Sequence, residues 1–399
     1  MIKIQTIPFF LYDRSMSTNT TTFWTPLWSQ SMAKEMFNGK LVGRNKTICF
    51  QLKAYVGGTN IRLRFSNASG LVDYQIASMT VWIEQACHRV TMNGKSAFPI
   101  PRGTHPYSDV LNVRIHANDV IEVRIFFTTV ICDANRTETS ARLYRGDQTM
   151  VKELMITPLP NRVNRVLGIY NAVPSLELIE VETTQEAKVI VAFGDSITAM
   201  NRWVEPLREH LHEKFNDNFV LLNAGISGNC LLYEVGTLFR GVFGRKAVDR
   251  FKTDVLDVNQ LHTVIFALGI NDMSYYRTKT KDIINFERFQ SALMDITHQL
   301  QARNVRIVVC TLTPRMGFKL LKFTREMEEL RVRINDWIRS CDSFDGVFDM
   351  DAVIRDAIQR NVIDARYHQG DHLHPNEAGG QKIADAIDLD LLVGRVKES

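Results

Sequence analysis

The sequence predicts an α/β fold: a parallel sheet covered by helices in the second half of the chain, preceded by an antiparallel β-sandwich. The first observation behind this is a period near two between turn signals from about 45 to 130. The second is a change of period from about 185, where strand-like apolar runs alternate with helix-like segments. The third is a chain of 399 residues, long enough for two cores. The expected domains are 1–184, sandwich with linker, and 185–399.

In the first part, Ile48-Cys-Phe-Gln-Leu-Lys-Ala-Tyr-Val56 stops at Gly57-Gly58, and Ile61-Arg-Leu-Arg-Phe65 stops at Ser66-Asn-Ala-Ser-Gly70. Met79-Thr-Val-Trp-Ile83 and Val120-Ile-Glu-Val-Arg-Ile-Phe-Phe127 follow the same grammar. Short alternating strands with almost no helical stretch fit an antiparallel sandwich. Arg62 and Arg64 should share one strand face, with Ile61, Leu63 and Phe65 on the other. That arginine face is expected to be solvated and ion-paired rather than an anion site. Trp24, Trp28 and Trp82 are expected to pack rather than to form a sugar platform. Residues 133–185 show mixed patterning, and no element is assigned there; they should complete the sandwich and cross to the second domain.

In the second part, strands are expected at 188–193, 219–222, 263–268 and 305–311. Between them, Trp203, Leu207, Leu211 and Phe215 recur every fourth residue. Over 283–302, Phe286, Phe289, Leu293, Ile296 and Leu300 form one apolar stripe of a helix.

Composition excludes several function classes. Hydrophobic content of 45% and charged content of 23% are those of an ordinary globular protein. The net charge of +4, from 48 basic and 44 acidic residues, comes without a basic stripe bearing aromatics, so no nucleic-acid partner is expected. No apolar run approaches the ~20 residues of a bilayer span, so no membrane partner is expected either. Six cysteines, at 49, 87, 132, 230, 310 and 341, lack any C-x-x-C pair and suit reduced thiols. Met1–Leu11 carries one lysine and a short apolar run broken by Pro8, without a small-residue cleavage site. A cytoplasmic protein is therefore expected, in which the sequons at Asn19, Asn45, Asn67 and Asn135 have no role.

Chemistry concentrates at the expected strand ends. Gly194-Asp195-Ser196-Ile197-Thr198 follows Val189–Phe193 directly, placing one hydroxyl where an open α/β sheet holds its ligand. Asn223-Ala-Gly-Ile-Ser-Gly228-Asn229, Gly269-Ile-Asn271-Asp272 and Asp371-His-Leu-His374-Pro375 follow in order. Ester cleavage needs a nucleophile, a base, a group that orients the base, and donors for the oxyanion. Ser196 is the candidate nucleophile, His374 the base and Asp371 its orienting carboxylate. The backbone N–H groups of Ser196 and Gly228 and the Asn271 side-chain amide are the candidate oxyanion hole. Asp195 is assigned to a local backbone hydrogen bond, and Asp272 to a charge at a helix N-terminus. His372 is assigned to pocket wall or surface, and His368 to the preceding loop. Asp371 and His374 have no second ligand pair nearby, so no metal is expected.

These four blocks resemble the signature of the SGNH, or GDSL-type, hydrolases, and the resemblance covers residues ~185–395. It implies a three-layer, flavodoxin-like α/β/α domain on a five-stranded parallel sheet, with Ser196, Gly228, Asn271, Asp371 and His374 in the family's roles and no cofactor. Trp24–Trp28, Ile61–Asn67, Arg250–Leu256 and Ile334–Ile338 resemble a two-domain branch with an amino-terminal, jelly-roll-like β-sandwich. That branch includes acetylxylan-esterase-like proteins and at least one acyltransferase. It usually continues after Ser-Ile-Thr with Asp-Gly and a longer loop, whereas Ala199-Met-Asn-Arg-Trp203 here runs straight into a helix. The resemblance implies a serine esterase for short, acetyl-type esters on a carbohydrate or small polyol. An acyltransferase using the same acyl-enzyme is the alternative, and a non-catalytic carbohydrate-binding protein the remote one.

Overall fold

The computed structural model describes residues 21–34, 45–68, 70, 72–129, 133–136, 141–154, 172–234, 242–273, 285–319 and 323–395. Met1–Leu11, Asn19 and Cys132 lie outside them. The alternating segments of the first half pair as antiparallel strands. One four-stranded sheet runs in the order Phe23–Ser29, Leu176–Thr183, Gly58–Phe65, Leu111–Ile115. A larger sheet is built around Lys46–Lys53, Val120–Phe127 and Tyr74–Ile83. A small third sheet joins Ala172–Pro174, Asp133–Arg136 and Ala33–Lys34.

The period of two sorts side chains by face. Ile61, Leu63 and Phe65 are fully buried between the sheets, while Arg62 and Arg64 reach Glu180 at 2.7 Å and Glu177 at 3.2 Å on the adjacent strand. Arg62 lies over Trp24 at 4.3 Å and Tyr107 at 4.4 Å, so the arginine face is ion-paired, as expected, and in addition stacked on aromatic rings. Trp82 is buried, and Trp28 packs on Phe50 with ring centroids 5.5 Å apart.

The second half forms five parallel strands: β1 (Lys188–Gly194), β2 (Phe219–Gly225), β3 (Leu261–Ala267), β4 (Arg306–Cys310) and β5 (Gly346–Phe348). Their order is β2-β1-β3-β4-β5. Alternation along β1 divides the layers. Val189, Val191 and Phe193 join a cluster with Phe289, Leu293 and Ile296 of helix α4 (Phe286–Gln301) and Ile334 and Ile338 of α5 (Arg325–Ser340). Ile190 and Ala192 face Leu207, Leu211 and Phe215 of α2 (Val204–Phe215) and Ile383 of α7 (Glu377–Ala386). Helices thus cover both faces, giving the three-layer α/β/α domain. The short helices are α1 (Ser196–Ala199), α3 (Ala247–Phe251), α6 (Met350–Ile354) and α8 (Leu389–Val393).

Several parts of this architecture were not assigned from sequence, helix α5 and the strand Phe23–Ser29 among them. Leu176–Thr183 is an inner strand of the four-stranded sheet, inside the segment of mixed patterning. Its Glu177 and Glu180 meet arginines of the strand Gly58–Phe65. Strand β5 is three residues long, too short to show a period. The described cysteines, Cys49, Cys87, Cys230, Cys310 and Cys341, are all free thiols. Among the described residues no helix is long and apolar enough to cross a membrane.

The two domains are bonded to one another. Buried apolar side chains run in one cluster from Phe50, Ile61 and Val123 of the sandwich to Val189, Val191 and Phe193 of β1. Tyr55 Oη donates to Glu205 Oε1 on α2 at 2.7 Å, and Lys53 lies 3.6 Å from Glu209. Arg250, on α3, donates to Ser31 Oγ at 3.2 Å.

Candidate active site

Strand β1 ends at Gly194 and the chain turns at once into α1, whose first residue is Ser196. The Asp195 side chain caps this turn, its Oδ1 accepting from the Ile197 N–H at 3.0 Å. Two glycines let α1 sit against the strand ends. A Cβ on Gly225 would lie 2.4 Å from the Ala199 backbone nitrogen, and one on Gly194 would lie 2.0 Å from Thr198 Oγ1. The turn is tied sideways, because Asn223 Nδ2 donates to Thr198 O at 2.8 Å. Arg202 Nη1 donates to the Pro375 carbonyl and, at 3.1 Å, to Gln369 Oε1, which joins the short Ala199–Trp203 connection to the loop bearing His374.

That loop precedes α7, where Asn376 is the N-cap and its Oδ1 accepts from Gly379 N–H at 2.8 Å. Asp371 Oδ1 accepts from the backbone N–H groups of Leu373 at 3.0 Å and His374 at 2.9 Å. Its Oδ2 meets His374 Nδ1 at 2.6 Å and accepts from Gln369 Nε2 at 3.0 Å. His374 Nε2 lies 2.9 Å from Ser196 Oγ. Residues 196, 371 and 374 therefore form one continuous hydrogen-bonded line. Burial pushes the Asp371 carboxyl up, but the hydrogen bond and charge of His374, with Gln369 and the His374 N–H, hold it well below the usual carboxylate range.

The other predicted residues come from the ends of β2 and β3. Past Gly225, Ile226 N–H donates to Gly194 O at 3.1 Å, so this loop runs beside the turn that carries Ser196. Gly228 adopts φ of 74° with the Phe243 ring against its Cα, so a side chain there would be both strained and clashing. Asn271 sits in a single tight turn, Ile270–Met273, after β3. Its Nδ2 donates to Asn229 O at 3.0 Å, which joins the third block to the second. Asp272 is the acidic residue in the first turn of this short helix, and it does more than the expected helix N-terminal charge. Its carboxylate accepts the Leu231 N–H at 2.7 Å and the Leu232 N–H at 2.9 Å, clamping the two loops together.

Asp195 keeps the local role expected of it, although it is fully buried. Burial pushes its carboxyl up to about 6, against the lowering effects of the Ile197 N–H, His374 and Arg315. His372 stacks on His368 with ring centroids 4.4 Å apart and has φ of 62°. His368 Nδ1 accepts from Gly370 N–H at 2.9 Å and His372 N–H at 3.3 Å, shaping the turn that carries Asp371. Burial and the neighbouring His372 hold the His368 ring below its ordinary pKa.

Two arginines around these groups were not read as site residues. Arg250 is buried and donates to Gly194 O at 3.0 Å, Ala224 O at 2.9 Å and Asn229 Oδ1 at 2.9 Å. One guanidinium thus fastens the ends of β1 and β2 and the loop after β2. Its segment resembled the two-domain branch, but nothing in its spacing announced this task. Arg315, after β4, donates to Ile270 O at 3.0 Å and to Asn271 Oδ1 at 3.4 Å; no sequence pattern marked it.

A hydroxyl bonded to an imidazole that is itself bonded to a carboxylate can lose its proton as it attacks an electrophilic carbon. Among the described residues no group of three or more His, Cys, Asp or Glu is arranged to hold a metal.

No curated protein sequence matches the chain significantly. Solved structures similar to it include an acetyl xylan esterase from Geobacillus stearothermophilus, at 18% identity over 53% of this chain and 97% of that one, with a TM-score of 0.40. Another is a GDSL-like lipase from Bacteroides thetaiotaomicron VPI-5482, at 16% identity over 51% of this chain and 87% of that one, with a TM-score of 0.37. Residues 192–382, which hold all four blocks, match the model of the GDSL-like lipase/acylhydrolase family.

Proposed function

We propose that the protein is a serine esterase that transfers a short acyl group from an ester to Ser196 and then to water. The observation that carries this reading is the hydrogen-bonded line Ser196–His374–Asp371, with separations of 2.9 and 2.6 Å. Ser196 Oγ attacks the ester carbonyl while its proton passes to His374 Nε2. Asp371, ionised and fixed by two backbone N–H groups, holds the imidazole by Nδ1 and stabilises its cation. The carbonyl oxygen becomes an oxyanion, taken up by the N–H groups of Ser196 and Gly228 and by Asn271 Nδ2. His374 returns the proton to the leaving alcohol, and the acyl-enzyme forms. Water, deprotonated by the same nitrogen, then releases the acid and restores Ser196.

On this reading the Phe243 ring against Gly228 and the Phe318 ring, edge-on to His374 at 6.3 Å, are walls of the acyl pocket. The favoured substrate is an acetyl ester of a carbohydrate or small polyol. The test is hydrolysis of p-nitrophenyl esters of increasing chain length, with Ser196→Ala as control. Activity should be highest with acetate and vanish in Ser196→Ala; full activity in that variant would refute the reading. Adding alcohols to the reaction separates hydrolysis from transfer, since hydrolysis alone yields only free acid.

A further inference from the structure

We propose that Arg315 is a positioning residue for the reaction, aiming and polarising the Asn271 amide that receives the oxyanion; this rests on the esterase reading above. Arg315 is buried, at 1% exposure, in the segment Thr311–Lys319 that follows β4. One nitrogen, Nη1, donates both to the carbonyl of Ile270 and to the side-chain oxygen of Asn271, at 3.0 and 3.4 Å. At the other end of the same amide, Nδ2 donates to the Asn229 carbonyl at 3.0 Å.

These contacts fix which way the amide points. A guanidinium only donates and a backbone carbonyl only accepts, so turning the amide over would set donor against donor and acceptor against acceptor. One Nδ2 hydrogen goes to Asn229 O, and the second is the one an oxyanion would take. A cation at the carbonyl end also draws electron density from the nitrogen, which makes that second hydrogen a better donor. Away from water this effect is stronger than it would be at the surface.

Neighbouring aromatic rings and the turn itself hold Arg315 in place. Its guanidinium lies 5.2 Å from the Phe318 ring centre and 5.7 Å from that of Phe323. Phe318 in turn meets the His374 ring edge-on. Met316 N–H donates to Asn361 O at 3.0 Å, which pins the turn, and Gly317, at φ of 92°, lets it pass close to His372. The Thr311–Lys319 segment therefore touches both the base and the oxyanion donor, although it supplies neither.

Because the amide is needed only once charge has formed on the carbonyl oxygen, loss of Arg315 should lower kcat and leave KM nearly unchanged. The experiment measures kcat, KM and inhibition by a trifluoromethyl ketone, which forms a tetrahedral oxyanion adduct on Ser196. It uses Arg315→Gln, Arg315→Lys and each of these combined with Asn271→Ala. Arg315→Gln should lower kcat by about 10- to 100-fold, with the inhibition constant rising by the same factor. Arg315→Lys should recover part of the loss, and neither change should add to the effect of Asn271→Ala.

An unchanged kcat in Arg315→Gln, or a loss that multiplies fully with that of Asn271→Ala, overturns the proposal. If Arg315→Gln does not fold, Arg315→Lys decides alone: its loss must disappear in the Asn271→Ala background, and persistence overturns the proposal. The esterase reading fails separately, through activity retained in Ser196→Ala.

Discussion

At the scale of single residues, the decisive feature is how many fixed groups surround one hydroxyl. Asn271 is held by Asn229 O on one side and Arg315 on the other, so on the esterase reading proposed above its replacement removes an oxyanion donor that is already aimed. Asn271→Ala should lower kcat by about 10²–10³ with KM little changed, in steady-state assays on p-nitrophenyl acetate. Asp195 gives a stability prediction. Its folded carboxyl is pushed up to about 6, above the ~3.9 of an unfolded aspartate. The stability it contributes is therefore present below about pH 4 and lost as pH rises through 6. An asparagine can still accept the Ile197 N–H without a buried charge. Asp195→Asn should thus raise the unfolding free energy above pH 7 by at most about 3 kcal/mol, with the gain shrinking towards pH 4. Denaturant titrations at pH 8 and pH 4.5 check this; an equal gain at both would contradict it. The place of Ser196 after an apolar run and the spacing of Asp371 and His374 could be read in the chain, and the structure brings these three side chains together. Arg250 and Arg315 could not be read there, since each acts on groups 21 to 56 residues away and nothing local distinguishes it from a surface arginine.

At the scale of elements, periodicity told most of the story, and its failures have physical causes. The runs Lys188–Gly194, Phe219–Gly225 and Leu261–Ala267 are nearly continuous in apolar residues because both of their faces are covered. Leu176–Thr183 breaks that rule through Glu177, Glu180 and Glu182, which are placed by partners on other strands. Glu180 meets Arg62 across 118 residues of sequence, a pairing that local pattern cannot reveal. The contact between α1 and β2 makes a sharp test. A methyl group at Gly225 must move the Ala199 backbone, not a flexible side chain. Gly225→Ala should destabilise the domain by about 1–3 kcal/mol in denaturant unfolding. It should also lower kcat, because α1 carries Ser196, the proposed nucleophile; unaltered activity at reduced stability would show that the turn tolerates the shift.

At the scale of the whole molecule, the sandwich and the α/β/α domain share one buried apolar cluster and several polar links. Arg250 is the most direct of these, bonded at once to Ser31 of the sandwich segment and to the carbonyls of Gly194 and Ala224. Calorimetry of the full chain should therefore show one cooperative transition; two separated transitions would mean that the shared cluster does not couple the domains. The succession of antiparallel sheets and a parallel sheet was readable from the change of period near residue 185, but the contacts between them were not, since they join distant segments.

All three scales depend on Ser196 being a nucleophile activated by His374. Labelling with a fluorophosphonate, followed by peptide mass mapping, tests this most directly. The native protein should take up one label, on the peptide that carries Ser196, and His374→Ala should take it up at least about 100-fold more slowly. No label on that peptide, or equal labelling rates in the native protein and His374→Ala, would contradict the account.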